Sequence, residues 1–184
     1  DVLWFRVMTQ EGHWEIKRHR HFSFEFHFVA KGSSHVILDD AEFDIKAGEF
    51  YITCPGIYHT QTNDDLESYV EYSLNCDIQL MNEENSEERA IVQVLRTGVC
   101  RPIYNGGPVL ALFREALYEA YGKELGFQNK IQNVVKTLII ESARELLKTN
   151  KIDFRVDYNY KKFDFRFIQI HRFITDNINR PIQG

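Results

Sequence analysis

The chain has 184 residues, of which 43% are hydrophobic and 27% charged, a composition typical of a globular protein with one sizeable core. Its net charge of −5 argues against nucleic-acid binding by this segment alone, because phosphate contacts need lysines and arginines concentrated on one face. No apolar run approaches the ~20 residues that span a bilayer, so we expect no membrane partner. The three widely spaced cysteines fit a reducing compartment, and we expect a cytoplasmic protein.

The first 80 residues carry the pattern of short β-strands. Apolar and polar residues alternate in runs separated by turn residues, at 22–29, 34–38, 41–45, 50–54 and 66–75. The last run has two faces, one with Val70, Tyr72 and Leu74 and the other with Tyr69, Glu71 and Ser73. Many short strands at this spacing predict a sandwich or barrel.

Beyond residue 80 the apolar period becomes helical. The acidic run 83–88 is predicted as a solvated loop. Gly106, Gly107 and Pro108 mark the start of a helix, with an apolar stripe formed by Val109, Leu112, Phe113, Ala116, Leu117 and Tyr121. A longer helix is predicted over 129–149, and its wide stripe fits either burial within one subunit or contact with a partner subunit. Residues 151–162 are predicted as a linker and 163–184 as a third amphipathic helix.

Four residues in the strand-rich part form a candidate metal site. His19, His21 and Glu25 have even spacing, so on one strand they would share a face with Ser23 and His27, unless a turn near residue 22 breaks the strand. His59, just after Pro55 and Gly56, can supply a fourth ligand from a neighbouring strand. Three imidazole nitrogens and one carboxylate suit Zn, Ni, Fe or Mn.

Two stretches resemble the motifs of the cupin family. The first runs from Gly12 through His19, His21 and Glu25 to Gly32, and the second runs from Gly48 through Pro55 to His59 and Asn63. The resemblance implies a mainly β fold with C-terminal α: a cupin-like jelly-roll barrel, or double-stranded β-helix, followed by a helical pair and one further helix.

The order of the segments resembles the AraC/XylS family of transcription regulators. In that family a cupin-like sensor domain, here 1–80, precedes a helical dimerisation segment, here 81–150. A linker at 151–162 would then lead to the first helix of a helix-turn-helix DNA-binding domain at 163–184, with the remainder expected beyond residue 184. The resemblance implies a homodimer formed through the helices at 108–149, with DNA bound only through the C-terminal domain.

This resemblance makes the barrel an effector pocket rather than an active site. The implied pocket residues are His19, His21, Glu25, His27, Tyr51, His59 and Trp14, and the implied effector is a small molecule such as a sugar. The four candidate ligands then either hold a divalent metal or line the pocket as a hydrogen-bonded set. We expect no enzyme activity; the alternative is a metal-dependent cupin enzyme, a dioxygenase or an isomerase.

Overall fold

The computed structural model describes residues 1–63, 67–78, 86–97, 100–104 and 106–150. Within these ranges the chain forms eight β-strands followed by three α-helices. The strands are β1 (Val2–Gln10), β2 (Trp14–His19), β3 (Phe24–Lys31), β4 (Ser33–Leu38), β5 (Glu42–Lys46), β6 (Phe50–Thr53), β7 (His59–Asn63) and β8 (Tyr69–Cys76). The helices are α1 (Ser86–Thr97), α2 (Gly107–Gly122) and α3 (Phe127–Asn150).

The strands form two antiparallel sheets with jelly-roll-like connections. One sheet has the order β1-β8-β3-β6 and the other has the order β2-β7-β4-β5. Consecutive strands such as β2 and β3 therefore lie in different sheets, as the cupin-like prediction requires. Gly32 joins β3 to β4 with φ of 76°, a left-handed conformation that glycine adopts without a Cβ penalty.

Strand β3 is buried on both faces, and the two faces differ in chemistry. Phe24, Phe26 and Phe28 belong to the apolar cluster that includes residues of the three helices. Glu25 and His27 alternate with them and are equally buried, so they face the interior of the barrel. Val29 continues this inner face and joins a smaller apolar cluster with Trp14, Val36, Ile45, Tyr51 and Tyr69.

The helices cover the outer face of the sheet that contains β3. Phe113 of α2 is fully buried, and its ring centroid lies 5.2 Å from that of Phe5 and 6.4 Å from that of Phe28. Helix α2 also packs along α3, which contacts α1. The turn into α2 is tight, because a Cβ on Gly106 would come within 2.2 Å of the Phe28 ring.

Most predicted elements are confirmed, and two predictions are wrong. The acidic run was predicted as a loop, but Glu87 and Glu88 lie in the first turn of α1, where carboxylates interact favourably with the helix dipole. Tyr121 was placed in the buried stripe of α2, but 90% of it is exposed. Strands β1, β2 and β7 and helix α1 were not predicted. The predicted linker at 151–162 and helix at 163–184 lie outside the described residues.

Candidate functional site

Three of the four candidate ligands come from strands that meet at one end of the barrel, and the fourth lies in a connection. His19 is the last residue of β2, Glu25 is the second residue of β3, and His59 is the first residue of β7. His19 pairs directly with His59 across the β2–β7 ladder. His21 lies between β2 and β3. Of the two possibilities left open for 19–27, the break near residue 22 is the one found, because the chain leaves β2 at His19 and enters the other sheet at Phe24.

The side chains of this cluster nevertheless converge. Their ligand atoms all lie within 4.8 Å of one another. Glu25 Oε2 is 3.1 Å from His21 Nε2 and 3.4 Å from His59 Nε2. The ring centroids of His19 and His59 are 4.2 Å apart. Glu25 and His59 are buried, whereas His19 and His21 are half-buried, so the cluster has one side toward solvent.

The hydrogen bonds of the histidines leave ligand atoms without partners. His19 Nδ1 lies 2.8 Å from the carbonyl of Lys17, and His59 Nδ1 lies 3.2 Å from the carbonyl of Ile57. A ring that donates from Nδ1 presents Nε2 as the ligand atom, and such carbonyl contacts fix metal-binding imidazoles in many proteins. Within the described residues, neither Glu25 oxygen nor His59 Nε2 makes a hydrogen bond, although all three atoms are buried.

The ionisation of the cluster suits a cation. Burial alone would raise the pKa of the Glu25 carboxyl, but the charge of His27 and the contacts of His27 and His59 hold it well below its usual range. Burial lowers the pKa of His19, and its contact with the Lys17 carbonyl offsets this only in part. Glu25 is therefore a carboxylate and His19 a neutral imidazole near pH 7, which are the forms that bind metals.

The residues present fit a divalent metal. Buried polar atoms that make no hydrogen bond are costly, and a cation among the ligand atoms of Glu25 and His59 would satisfy those that lack one in the described residues. Ligand atoms at about 2.0–2.2 Å from one ion lie at most about 4.4 Å apart. The 4.8 Å spread therefore closes by a few tenths of an ångström for two ligands on opposite sides of an ion, and by about 1 Å or more for neighbouring ligands of a tetrahedral site.

Comparison with known proteins agrees with the fold of the two sheets. The family model of the cupin domain matches residues 5–72. These residues are a cupin domain. The match includes all four ligands of the cluster. No curated protein matches the chain significantly.

Several solved structures are similar to the cupin domain. A conserved protein of unknown function from Streptococcus pyogenes is 16% identical, with a TM-score of 0.37, over 41% of this chain and 65% of that one. A cupin superfamily protein from Desulfitobacterium hafniense DCB-2 is 8% identical, with a TM-score of 0.37, over 40% of this chain and 65% of that one. A conserved protein with a double-stranded β-helix domain from Klebsiella pneumoniae is 22% identical, with a TM-score of 0.37, over 41% of this chain and 72% of that one. The chain thus spans less than two thirds of the first two proteins.

A buried hydrogen-bonded set lies next to the cluster inside the cupin barrel. His27 Nε2 is 3.4 Å from Glu25 Oε2, and His27 Nδ1 is 3.0 Å from Glu71 Oε1. Burial lowers the pKa of His27, but the two carboxylates outweigh it and raise this pKa to about 10. We call this set the inner network, which consists of His27, Ser34, Gln61, Tyr69, Glu71 and Ser73.

Of the residues in the inner network, only His27 was predicted to belong to the site. Three other residues of the inner network could have been found, because the alternation in 66–75 placed Tyr69, Glu71 and Ser73 on one strand face. Glu71 is the charged residue in the middle of β8, whose other side chains are uncharged. A fully buried carboxylate needs several donors, so its face had to be the polar interior of the barrel.

The remaining predicted pocket residues are also buried in the barrel. Tyr51 stacks on His27, with centroids 4.3 Å apart and planes at 1°. Its hydroxyl finds no hydrogen-bond partner in the described part of the chain. Trp14 packs on Tyr69 with centroids 4.8 Å apart, so it belongs to the inner apolar cluster. A role of either residue in effector binding stays a prediction.

Proposed function

We propose that the cupin domain binds a small molecule with the help of a divalent metal held by His19, His21, Glu25 and His59. One observation carries this proposal: buried ligand atoms of Glu25 and His59 converge with those of His19 and His21, yet make no hydrogen bond within the described residues. A hydrogen-bonded pocket lining, the alternative from the sequence, would leave these atoms satisfied. The cation would supply a Lewis-acidic point at which an oxygen-bearing effector, such as a sugar or a small acid, can bind.

We further propose that this binding regulates rather than catalyses, as in an AraC-type regulator. The resemblance of the segment order to that family supports this role. The three helices pack on the sheet that contains Glu25. They offer a physical connection between the pocket and more distant parts of the protein. An effector can shift such a system only by binding one of its states more tightly.

The same resemblance supports a homodimer through the helices. Tyr118 is 75% exposed and Tyr121 is 90% exposed. Both line an open groove of about 600 Å³ beside Leu117 and Tyr72. Aromatic side chains of this kind are enriched in protein interfaces. Sedimentation should show a dimer for the wild type and a monomer for Tyr118→Asp; a monomeric wild type at high concentration would contradict the dimer.

The second candidate is a metal-dependent enzyme, which the same four-residue cluster favours. His19 and His21 are half-buried, so a substrate could reach a bound cation from their side. A dioxygenase or an isomerase would fit such a site. Turnover that depends on the metal would favour this candidate over a sensor.

Metal analysis tests the first proposal. The protein is stripped with a chelator, and uptake of Zn²⁺, Ni²⁺, Mn²⁺ and Fe²⁺ is measured by elemental analysis and calorimetry. We expect one ion per chain in the wild type and none in Glu25→Gln. Absence of uptake by the wild type would refute the metal site.

A ligand screen tests the sensor proposal. The metal-loaded and the metal-free proteins are each screened by thermal shift against sugars, small acids and phenols, with product analysis for every hit. We expect hits that need the metal and leave the ligand intact. Chemical conversion of a hit would replace the sensor by the enzyme. Sequencing the gene beyond codon 184 tests the regulator, which requires two helix-turn-helix units there.

A further inference from the structure

The ring of His27 is fixed from two sides. Its Nδ1 lies 3.0 Å from Glu71 Oε1, and its face stacks on Tyr51 with almost parallel planes. Only 3% of the side chain is exposed. These contacts leave the ring one orientation, in which Nε2 points toward Glu25 Oε2 at 3.4 Å.

Glu71 is fixed in its turn by the rest of the inner network. Its Oε2 accepts hydrogen bonds from the hydroxyl of Tyr69 at 2.6 Å and from Gln61 Nε2 at 2.7 Å. Its Oε1 accepts from Ser73 Oγ at 2.7 Å, in addition to His27. An ionised carboxylate has about four acceptor positions. All of them are used here, so the carboxylate of Glu71 cannot turn without losing a bond.

The carboxylate of Glu25 has no such anchor of its own. Neither of its oxygens makes a hydrogen bond to a described residue, and the three imidazoles near Oε2 approach at 3.1–3.4 Å. Two of these imidazoles, His21 and His59, belong to the cluster and would turn to a cation. Only His27 would then remain beside the carboxylate.

We propose that His27 and Glu71 are positioning residues of the cupin site: Glu71 fixes the ring of His27, and this ring fixes the carboxylate of Glu25 for a cation. This inference rests on the proposed metal site and adds two residues outside the set of ligands. Partners of this kind orient metal ligands, and their loss typically lowers metal affinity by about 10–100-fold.

The rival explanation is that the inner network only holds the two sheets together. Ser34 separates the two explanations. Its hydroxyl lies at the far end of the network, 3.2 Å from the Tyr69 hydroxyl and 2.9 Å from Gln61 Nε2. It belongs to β4 and bonds to Tyr69 and Gln61 rather than to His27 or Glu71, so Ser34→Ala is a matched control for loss of a network bond.

The test uses Co²⁺ added to the chelator-stripped chain, with affinity from calorimetry and ligand geometry from the visible absorption spectrum. His27→Phe keeps a ring to stack on Tyr51 but removes both nitrogens. We expect it to weaken Co²⁺ binding by about 10–100-fold and to change the spectrum. Glu71→Gln keeps the shape of the side chain and should act in the same direction. His27→Gln, which restores a donor, should recover part of the affinity, and Ser34→Ala should change neither readout.

The possible outcomes separate this inference from the metal site itself. Unchanged affinity and spectrum in folded His27→Phe or Glu71→Gln would overturn the positioning role and leave the metal site standing. Equal losses in Ser34→Ala would overturn it as well, because they would reveal a general effect of stability. If the wild type takes up no Co²⁺, the metal site and the positioning role both fail.

Discussion

The two faces of β3 are buried to the same degree but differ in what stabilises them. The outer face, with Phe24, Phe26 and Phe28, packs against the helical apolar cluster. The inner face presents Glu25 and His27 to other polar side chains of the barrel. Burial therefore marks the core on one face and the candidate site on the other. Side-chain chemistry, rather than exposure, tells the two apart.

The largest expected loss of stability comes from a substitution that disrupts packing on the outer face of β3. Phe113→Ala removes a fully buried ring that contacts Phe5, Phe28 and Tyr72, and should lower the free energy of unfolding by about 3–5 kcal/mol. Leu125→Ala, in the exposed turn after the same helix and outside the proposed dimer groove, should change it by no more than about 0.5 kcal/mol. Urea unfolding of the metal-free protein measures both. Similar losses in the two variants would contradict the packing described here.

The next largest effect is the stabilisation that a bound metal would give at the inner face of β3. A divalent metal that binds only the folded chain should raise the free energy of unfolding by about 2.7 kcal/mol at 100 times its Kd. Glu25→Gln should abolish this gain, whereas Glu15→Gln, an exposed change on β2, should retain it. Thermal unfolding with and without metal measures the gain. A full gain in Glu25→Gln would remove Glu25 from the ligand set.

A smaller effect concerns the junction between the barrel and α2. Gly106→Ala would place a Cβ 2.2 Å from the Phe28 ring and 2.9 Å from the Gly48 carbonyl oxygen, which should cost about 1–3 kcal/mol. At Gly107 a Cβ would meet no described atom within 4 Å, so Gly107→Ala should be tolerated. Chemical denaturation of the pair tests whether the outer face depends on this close approach.

A last pair of substitutions compares two buried tyrosine hydroxyls inside the barrel. The Tyr69 hydroxyl donates to Glu71, so Tyr69→Phe should cost about 1–3 kcal/mol by leaving buried polar groups unsatisfied. The Tyr51 hydroxyl has no hydrogen-bond partner in the described ranges, so Tyr51→Phe should be neutral or stabilise by up to about 1 kcal/mol. Unfolding of the metal-free variants measures the difference. A loss in Tyr51→Phe would show that this hydroxyl is already bonded.

The sequence alone was enough where alternation and turn residues coincide. Strands β3 to β6 and β8 have apolar side chains on one face, and α2 and α3 have stripes, so their periods are visible. The four ligands could also be found, since HxHxxxE and a later histidine after a proline form a specific pattern. Whether His19, His21 and Glu25 share one strand stayed open, because the pattern does not show where the chain crosses from one sheet to the other.

The missed elements lack the apolar signal on which such predictions depend. Strand β7 has the sequence HTQTN, and its buried residues are the polar His59, Gln61 and Asn63. Helix α1 begins with acidic residues that are equally typical of a loop. The inner network joins residues 27 and 71 across two paired strands, and a contact of this separation follows from the register rather than from local composition.

The two-sided burial of β3 has a consequence for folding fidelity. Side chains alternate with a period of two along a strand, so a slip of one residue would exchange the two faces. Glu25 and His27 would then enter the apolar layer under the helices, while phenylalanines would fill the polar interior of the barrel. Misregistered pairings of β3 are thus penalised twice, and the same charged residues that form the candidate site help to select one alignment of the sheet.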